Sequence, residues 1–249
     1  MTFHASIPTA QGRAMLQPAF ANPVQESQRF FRVALEALSR PGHVAHADCA
    51  HGSPGHPAPL HPATAGLCLT LVDGNTPVWL DCINGSDRDG VIGWLRFHCG
   101  CRIVDDPAAA AFAIITDPDH MPRLERFCQG TLRDPHLAAT LLIQVDALAG
   151  EQVAESNFMD AISKTNSLND MSNKLDTISD SDIVTLAGPG VDGSIRFAAR
   201  GLPDWFWNDM AAQRTSYPQG VDIFLTAGSC LAGLPRSVRL PDHGGAPCT

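Results

Sequence analysis

The sequence predicts an α/β fold: a mixed β-sheet with helices packed on it. Three observations predict it. Short apolar runs of strand length, rich in β-branched residues, recur at 77–82, 112–116, 139–145 and 221–226. Segments with apolar residues at helical spacing lie between them. The two kinds alternate without strict βαβ regularity, which favours a mixed sheet. With 249 residues, 44% of them apolar and 17% charged, the chain is expected to form a single α/β domain over 1–249 with a full core.

In chain order, Asn22-Pro23-Val24-Gln25 opens a helix: Asn caps, Pro suits the first turn, and Gln stands at the capping-box position. Val24, Ser27, Phe31, Leu35 and Leu38 form an apolar stripe at helical spacing, with Arg32 on its border. Pro41-Gly42 ends the helix. Residues 43–61 read as an irregular loop, 63–72 as a buried helix, Asp73-Gly74-Asn75 as a turn and 77–82 as a strand. A helix over 88–98 carries Val91, Ile92, Leu95 and His98 near one face. Strands at 112–116 and 139–145 flank a short helix at 122–128, and 183–186 with 194–198 reads as a hairpin. A helix over 203–214 carries Trp205, Phe206 and Met210.

That helix feeds the stretch the chain is organised around. Tyr217-Pro218-Gln219-Gly220 is a turn, and 221–226 and 230–234 are two strands joined by Ala227-Gly228-Ser229. Asp222 and Arg236 stand at the margins of this apolar hairpin. They are either strand-end charges reaching water or groups converging on a polar cleft. The edge of the hairpin is expected to be open to pairing with another chain.

Residues 152–182 depart from the pattern. They contain no Gly, Pro, Arg, His or Cys, yet hold both lysines of the chain, Lys164 and Lys174. Met159, Ile162, Met171, Leu175 and Ile178 allow a weak amphipathic helix. So abrupt a shift reads as an inserted surface segment between two strands, too short to fold alone.

Composition excludes several functions. A net charge of −9 argues against sequence-independent nucleic-acid binding and against an anionic membrane surface. No apolar run approaches a membrane span, and the first residues, MTFHASIPTAQGRAM, lack the apolar core of a signal peptide. A cytoplasmic location is expected. Of the eight cysteines, Cys68, Cys82, Cys128 and Cys230 lie in apolar segments, as small hydrophobes do. Cys99-Gly100-Cys101 beside His98 lacks a second ligand pair. His43, His46, His51, His56 and His61, with Cys49, crowd a Pro/Gly-rich loop without ligand spacing, so no metal is expected. Residues 188–193 match G-x-G-x-x-G, but a strand follows rather than a helix, which makes them a hairpin turn. There is no P-loop, no G-x-S-x-G and no H-E-x-x-H. Lysine occurs only in the odd segment, so no pyridoxal phosphate aldimine and no cofactor are expected.

What remains is a set of polar residues at element edges: Arg32, Asp73, Arg96, His98, Asp222 and Arg236. Arginine forks suit phosphate or phosphonate oxygens and partner carboxylates, which makes Arg32, Arg96 and Arg236, with His98, candidate anion or interface residues. His98 titrates in the range of a proton shuttle. Asp73 and Asp222 are candidates for a polar cleft. The alternative for each is that it caps a helix or pairs with another of the set.

Read together, the motifs resemble a known family. Phe20-x-x-Pro23-Val24-x-x-x-Gln28-x-x-Phe31-Arg32 is followed by Leu69-Thr70-Leu71-x-Asp73-x-x-Thr76-Pro77-Val78-Trp79-Leu80 and Leu95-Arg96-Phe97-His98-x-Gly100. Gly130-Thr131, Gly188-Pro189-Gly190, Tyr217-Pro218-x-Gly220-Val221-Asp222 and Leu234-Pro235-Arg236 complete the series. Falling in this order over roughly 18–240, they resemble the PhnH family, the H subunit of the carbon–phosphorus lyase core complex. The segment 152–182 has no counterpart there.

The resemblance implies a fold similar to the large domain of pyridoxal-phosphate transferases, without the cofactor. It also implies a homodimerising surface and a complex with the G, I and J subunits. That machinery forms ribose 1-phosphonate 5-triphosphate from ATP and an alkylphosphonate, displacing adenine, and the resemblance assigns this subunit no catalytic residue. The leading expectation is therefore an accessory or structural subunit of the synthase. One rival is a self-sufficient small-molecule enzyme using His98, Asp73 and Asp222. Another is a phosphonate- or nucleotide-binding module using Arg32, Arg96 and Arg236.

Overall fold

The apolar runs become the strands of two sheets in the computed structural model, which describes residues 19–47, 54–81, 85–150 and 182–241. In chain order the strands are β1 (Ala45–His46), β2 (Pro77–Leu80), β3 (Arg102–Val104), β4 (Phe112–Ile115), β5 (Thr140–Gln144), β6 (Ala147–Gly150), β7 (Ile183–Ala187), β8 (Ser194–Arg200), β9 (Asp222–Ala227) and β10 (Cys230–Leu234). The helices are α1 (Pro23–Ser39), α2 (Pro62–Leu71), α3 (Gly85–His98) and α4 (Phe206–Gln213).

Seven strands make one mixed sheet in the order β1-β10-β9-β5-β4-β2-β3. From β9 through β3 every neighbouring pair is parallel; β10 alone runs against the others, antiparallel to β9 and to β1. A second, antiparallel sheet has the order β6-β8-β7.

Side-chain alternation along the central strands divides the core into two faces. Leu142 and Phe224 pack with Phe30 of α1, Leu67 of α2 and Leu95 of α3. Leu141, Ile143, Ile223 and Leu225 point the other way, toward Phe206 and Met210 of α4 and Phe197 of the small sheet. The result is three layers: helices, the large sheet, then a helix beside a small sheet.

Helix α1 shows how small residues set the packing. Asn22 caps it, its Oδ1 accepting from the Gln25 N–H at 3.3 Å. The reciprocal acceptor is Glu26 rather than Gln25, through Oε2 to the Asn22 N–H at 3.3 Å. The apolar stripe read from the spacing is not the buried face. Glu26, Phe30, Ala34 and Ala37 face the core, while Val24, Phe31 and Leu35 are exposed. Ala37 lies so close over Gly233 of β10 that a Cβ there would come within 2.6 Å of the helix backbone. The Phe30 ring fills the space over Gly66 of α2, where a Cβ would meet it at 2.1 Å. An alanine face lets the helix approach; a Phe/Leu face would hold it away. The motif residues Val24, Gln28, Phe31 and Arg32 thus lie on or beside the outward face.

Other expectations change as well. The edge of the 221–234 hairpin is less open than expected: β9 pairs with β5 along its length, and β10 pairs with β1 at Cys230 and Leu231, leaving Ala232–Leu234 without a strand partner on that side among the described residues. Only a single 3₁₀ turn, Leu124–Arg126, forms within 122–128. The Gln129 amide stops it by donating to the Leu124 and Phe127 carbonyls at 2.7 and 2.8 Å, so those acceptors need no helical continuation. Strands β1, β3 and β6 were not legible as apolar runs, being short or alanine-rich. The G-x-G-x-x-G match forms the turn between β7 and β8, as its flanks predict. Residues 48–53, with Cys49 and His51, lie outside the described residues, as does the segment 152–182 apart from Asp182. Among the described residues no helix is long and apolar enough to cross a membrane.

Candidate functional site

Four parallel strands lie side by side in the order β2-β4-β5-β9, and each ends in polar residues at the same edge. The chain passes outward from β2 to β3, then returns to the other side of β2 as β4. The strand order therefore reverses between β2 and β4, the place where open α/β sheets bind ligands. Asp81 follows β2 and Thr116-Asp117 follow β4. The buried Asp81 carboxylate accepts from the Thr116 and Asp117 N–H groups at 2.6 and 2.9 Å and from the Thr116 hydroxyl at 3.1 Å. Burial pushes its carboxyl above the usual range, against the opposite pull of those N–H donors.

Gln144 ends β5 and reaches the loop before α2. Its Oε1 accepts from the His61 N–H at 2.6 Å, and its Nε2 donates to the Pro59 carbonyl at 3.0 Å. The hydroxyls of Thr64 in α2 and Thr226 in β9 are 2.7 Å apart in the core below. His61 Nδ1 lies 3.3 Å from both the Thr226 carbonyl and the Gly228 N–H, so the tautomer decides which bond is made. Burial holds the His61 imidazole below its ordinary pKa, with His56 adding to the shift and the Thr226 carbonyl and Asp146 opposing it.

Above these residues opens a cleft of about 840 Å³. Its walls include His56, His61 and Ser229 together with Asp117, Asp119 and Asp146, and no Lys or Arg lines it among the described residues. Arg200 lies 3.6 Å from Asp146 without lining the cleft. At its rim Asp117 pairs with His120 at 2.7 Å, both exposed. The cleft therefore offers a neutral imidazole, hydroxyl groups and carboxylates. It can exchange a proton and can hold a neutral or cationic polar group, but it has no guanidinium fork for a phosphate. Among the described residues no group of three His, Cys, Asp or Glu is arranged to hold a metal.

The residues singled out from the sequence lie elsewhere. Asp222 and Arg236 clamp each other at the start of β9, at the opposite edge of the sheet. The Arg236 backbone N–H and Nε donate to Asp222 Oδ1 at 2.8 and 3.1 Å, and Nη2 donates to Oδ2 at 2.5 Å. Nη1 donates to the Pro135 carbonyl at 2.5 Å, and the pair is mostly buried, at 15% and 24% exposure. Asp73 is exposed in the turn before β2, where it accepts from the Thr76 hydroxyl at 2.7 Å and the Asn75 N–H at 2.9 Å. Those bonds, the Thr76 hydroxyl first, lower its pKa. Two strands separate β2 from β9, roughly 14 Å across the sheet, so Asp73 and Asp222 do not share a cleft. His98, at the end of α3, packs against Trp94 and Phe97 at 5.2 and 4.8 Å, and burial lowers its pKa. Arg96 and Arg32 are exposed on α3 and α1. Beside His98, burial pushes the Cys99 thiol up to about 12, which makes it inert at neutral pH.

His61, Asp81, Asp117, Gln144 and Asp146 were missed. The available signal was a polar residue just after each apolar run: Leu80-Asp81, Ile115-Thr116-Asp117 and Ile143-Gln144-Val145-Asp146.

Fold and cleft together define an open-sheet α/β protein with a polar hollow at the carboxyl edge of its parallel strands. The chain belongs to the family described as bacterial phosphonate metabolism protein (PhnH), whose model matches residues 18–241. The α-D-ribose 1-methylphosphonate 5-triphosphate synthase subunit PhnH of Rhizobium meliloti (strain 1021) is 31% identical to it over 232 residues, covering 93% of this chain and 98% of the relative.

Proposed function

We propose that this chain is the H subunit of a carbon–phosphorus lyase core complex, required to form ribose 1-phosphonate 5-triphosphate from ATP and an alkylphosphonate with release of adenine. One observation carries the reading: the relative named as a subunit of that synthase is matched over 98% of its own length. The partners are the G, I and J subunits, with homodimerisation of the free chain. A sheet in which only β10 is antiparallel supports kinship with the large domain of pyridoxal-phosphate transferases. The test is genetic. A bacterium deleted for its own H subunit should regain growth on methylphosphonate as sole phosphorus source when this chain is supplied. Continued failure to grow, with the chain present and folded, contradicts the reading.

A second reading, a ligand-binding role for the cleft, is favoured by its acidic walls and half-buried neutral His61. Phosphonate and triphosphate groups would be repelled there, so the ligand is a neutral or cationic hydrogen-bonding group, with the nucleobase and ribose the parts of ATP that fit. Calorimetric titration should show adenosine binding more tightly than ATP; equal or tighter ATP binding would refute this.

A further inference from the structure

We propose that a small pocket beside α4 binds a primary ammonium group. The pocket lies on the face of the large sheet that packs against α4, away from α1, α2 and α3, and shares no residue with the carboxyl-edge cleft. Three segments build its walls: the 3₁₀ turn Leu124–Arg126 with Gln129, the second half of α4, and the turn at 216–219. Its volume is about 280 Å³, just under the roughly 300–1,000 Å³ of drug-sized ligand sites. It therefore suits a small amine or the tip of a side chain.

Hydrogen bonds decide which end of each lining amide is left free. Gln129 Nε2 donates to the Leu124 and Phe127 carbonyls at 2.7 and 2.8 Å, so both its amide hydrogens are engaged. Gln219 Nε2 donates to the Gly130 carbonyl at 3.1 Å. The Oε1 atoms of both take no hydrogen bond among the described residues. Only Gln213 is turned the other way: its Oε1 accepts from the Val221 N–H at 2.7 Å, and its Nε2 meets the weak acceptor Met210 Sδ at 3.3 Å. The Glu125 carboxylate is exposed and has no partner among the described residues, while Asp209 is held by Arg123 Nε at 2.9 Å and the Leu124 N–H at 3.3 Å. No Lys or Arg lines the pocket among the described residues. Arg123 also stacks on Trp205 at 4.7 Å, Arg214 stacks on Tyr217 at 4.4 Å, and Arg126 is exposed outside the walls. The pocket thus presents two free amide oxygens, a free carboxylate and the Ser216 hydroxyl. A compact cation with three N–H donors answers that set; a phosphate or carboxylate would find little to donate to it.

The test titrates the full chain calorimetrically with propylammonium. Tetramethylammonium serves as a cation without N–H donors, and 1-propanol as a similar shape without charge. Propylammonium should bind saturably, and the other two at least about tenfold more weakly. Glu125→Gln should weaken propylammonium about tenfold, the scale of one charge-assisted contact, and Gln219→Leu should weaken it as well. Glu36→Gln, the same change of charge on α1, should bind as wild type does. Glu125 is exposed and without partners, so its variant should unfold at the wild-type temperature and keeps the test decisive even if Gln219→Leu does not. Repeating the titration with the chain assembled with the other synthase subunits identifies the source of the ammonium. Persisting binding points to a free amine; lost binding points to a basic side chain of a neighbouring subunit in the pocket. No saturable binding to the isolated chain, tetramethylammonium binding as tightly as propylammonium, or wild-type affinity in Glu125→Gln overturns the proposal.

Discussion

Arg236 shows what a single side chain does in this structure. Its fork holds both oxygens of Asp222 while Nη1 ties the loop at Pro135 to the start of β9. Removing it leaves a mostly buried carboxylate without its partner, so Arg236→Ala should lower the free energy of urea unfolding by about 2–4 kcal/mol. Arg236→Lys should recover only part of that, because an ammonium lacks the fork. A loss below about 0.5 kcal/mol would show the pair to be solvated after all. His61 gives a pH dependence whose sign follows from its burial. Its folded-state pKa lies below the ordinary value of 6.5, so the unfolded chain takes up that proton more readily. The stabilisation is complete above pH 6.5 and is lost as the pH falls below it. His98 acts in the same direction. Unfolding midpoints measured from pH 8 to 5 should therefore decline, and His61→Asn should flatten part of the decline; an unchanged slope would contradict this. At this scale the sequence singled out Asp222 and Arg236 and allowed that members of the set pair with one another, but did not say which pair forms; the structure pairs these two. A strand-end charge looks the same whether its partner is water or an arginine fourteen residues on.

Elements were easier to read than their faces. The strands at 112–115, 140–144 and 222–227 lie within a residue or so of where their apolar runs place them. The orientation of α1 was not legible, because both its faces carry apolar residues and close approach to Gly233 and Gly66 selects the smaller one. Gly233→Ala tests this directly. The new methyl would strike the α1 backbone, which cannot move aside as a side-chain tip can, and the expected cost is about 2–3 kcal/mol. Near-wild-type stability would mean that α1 is not seated on β10. Whether 152–182 is an insertion, as the sequence leads one to expect, is a question of the same scale. Gly150 and Ile183 both border β8, facing its adjacent residues Phe197 and Ala198. They are two strand spacings apart, roughly 10 Å, a gap that three or four residues can close. We therefore predict that replacing 152–182 by a short Gly/Ser linker preserves cooperative unfolding, since shortening a long loop has only a logarithmic effect on closure entropy. Loss of a cooperative transition would make the segment part of the core.

At the scale of the whole molecule, the sequence announced its family more clearly than its working parts. Ordered motifs spread over most of the chain carried the family, and local turn and strand grammar carried the fold class. The carboxyl-edge cleft stayed hidden because it exists only once β2, β4, β5 and β9 stand side by side, which no local spacing encodes. The outward face of α1 was visible as apolar residues but was indistinguishable from core until the sheet was in place. The central claim is that this protein works as one part of a larger synthase. The most direct measurement is adenine release from ATP and methylphosphonate, followed for this chain alone, for the remaining core subunits alone, and for the two combined. The account predicts release only in the combined sample. Sustained turnover by the isolated chain, or undiminished turnover by the other subunits without it, would contradict it.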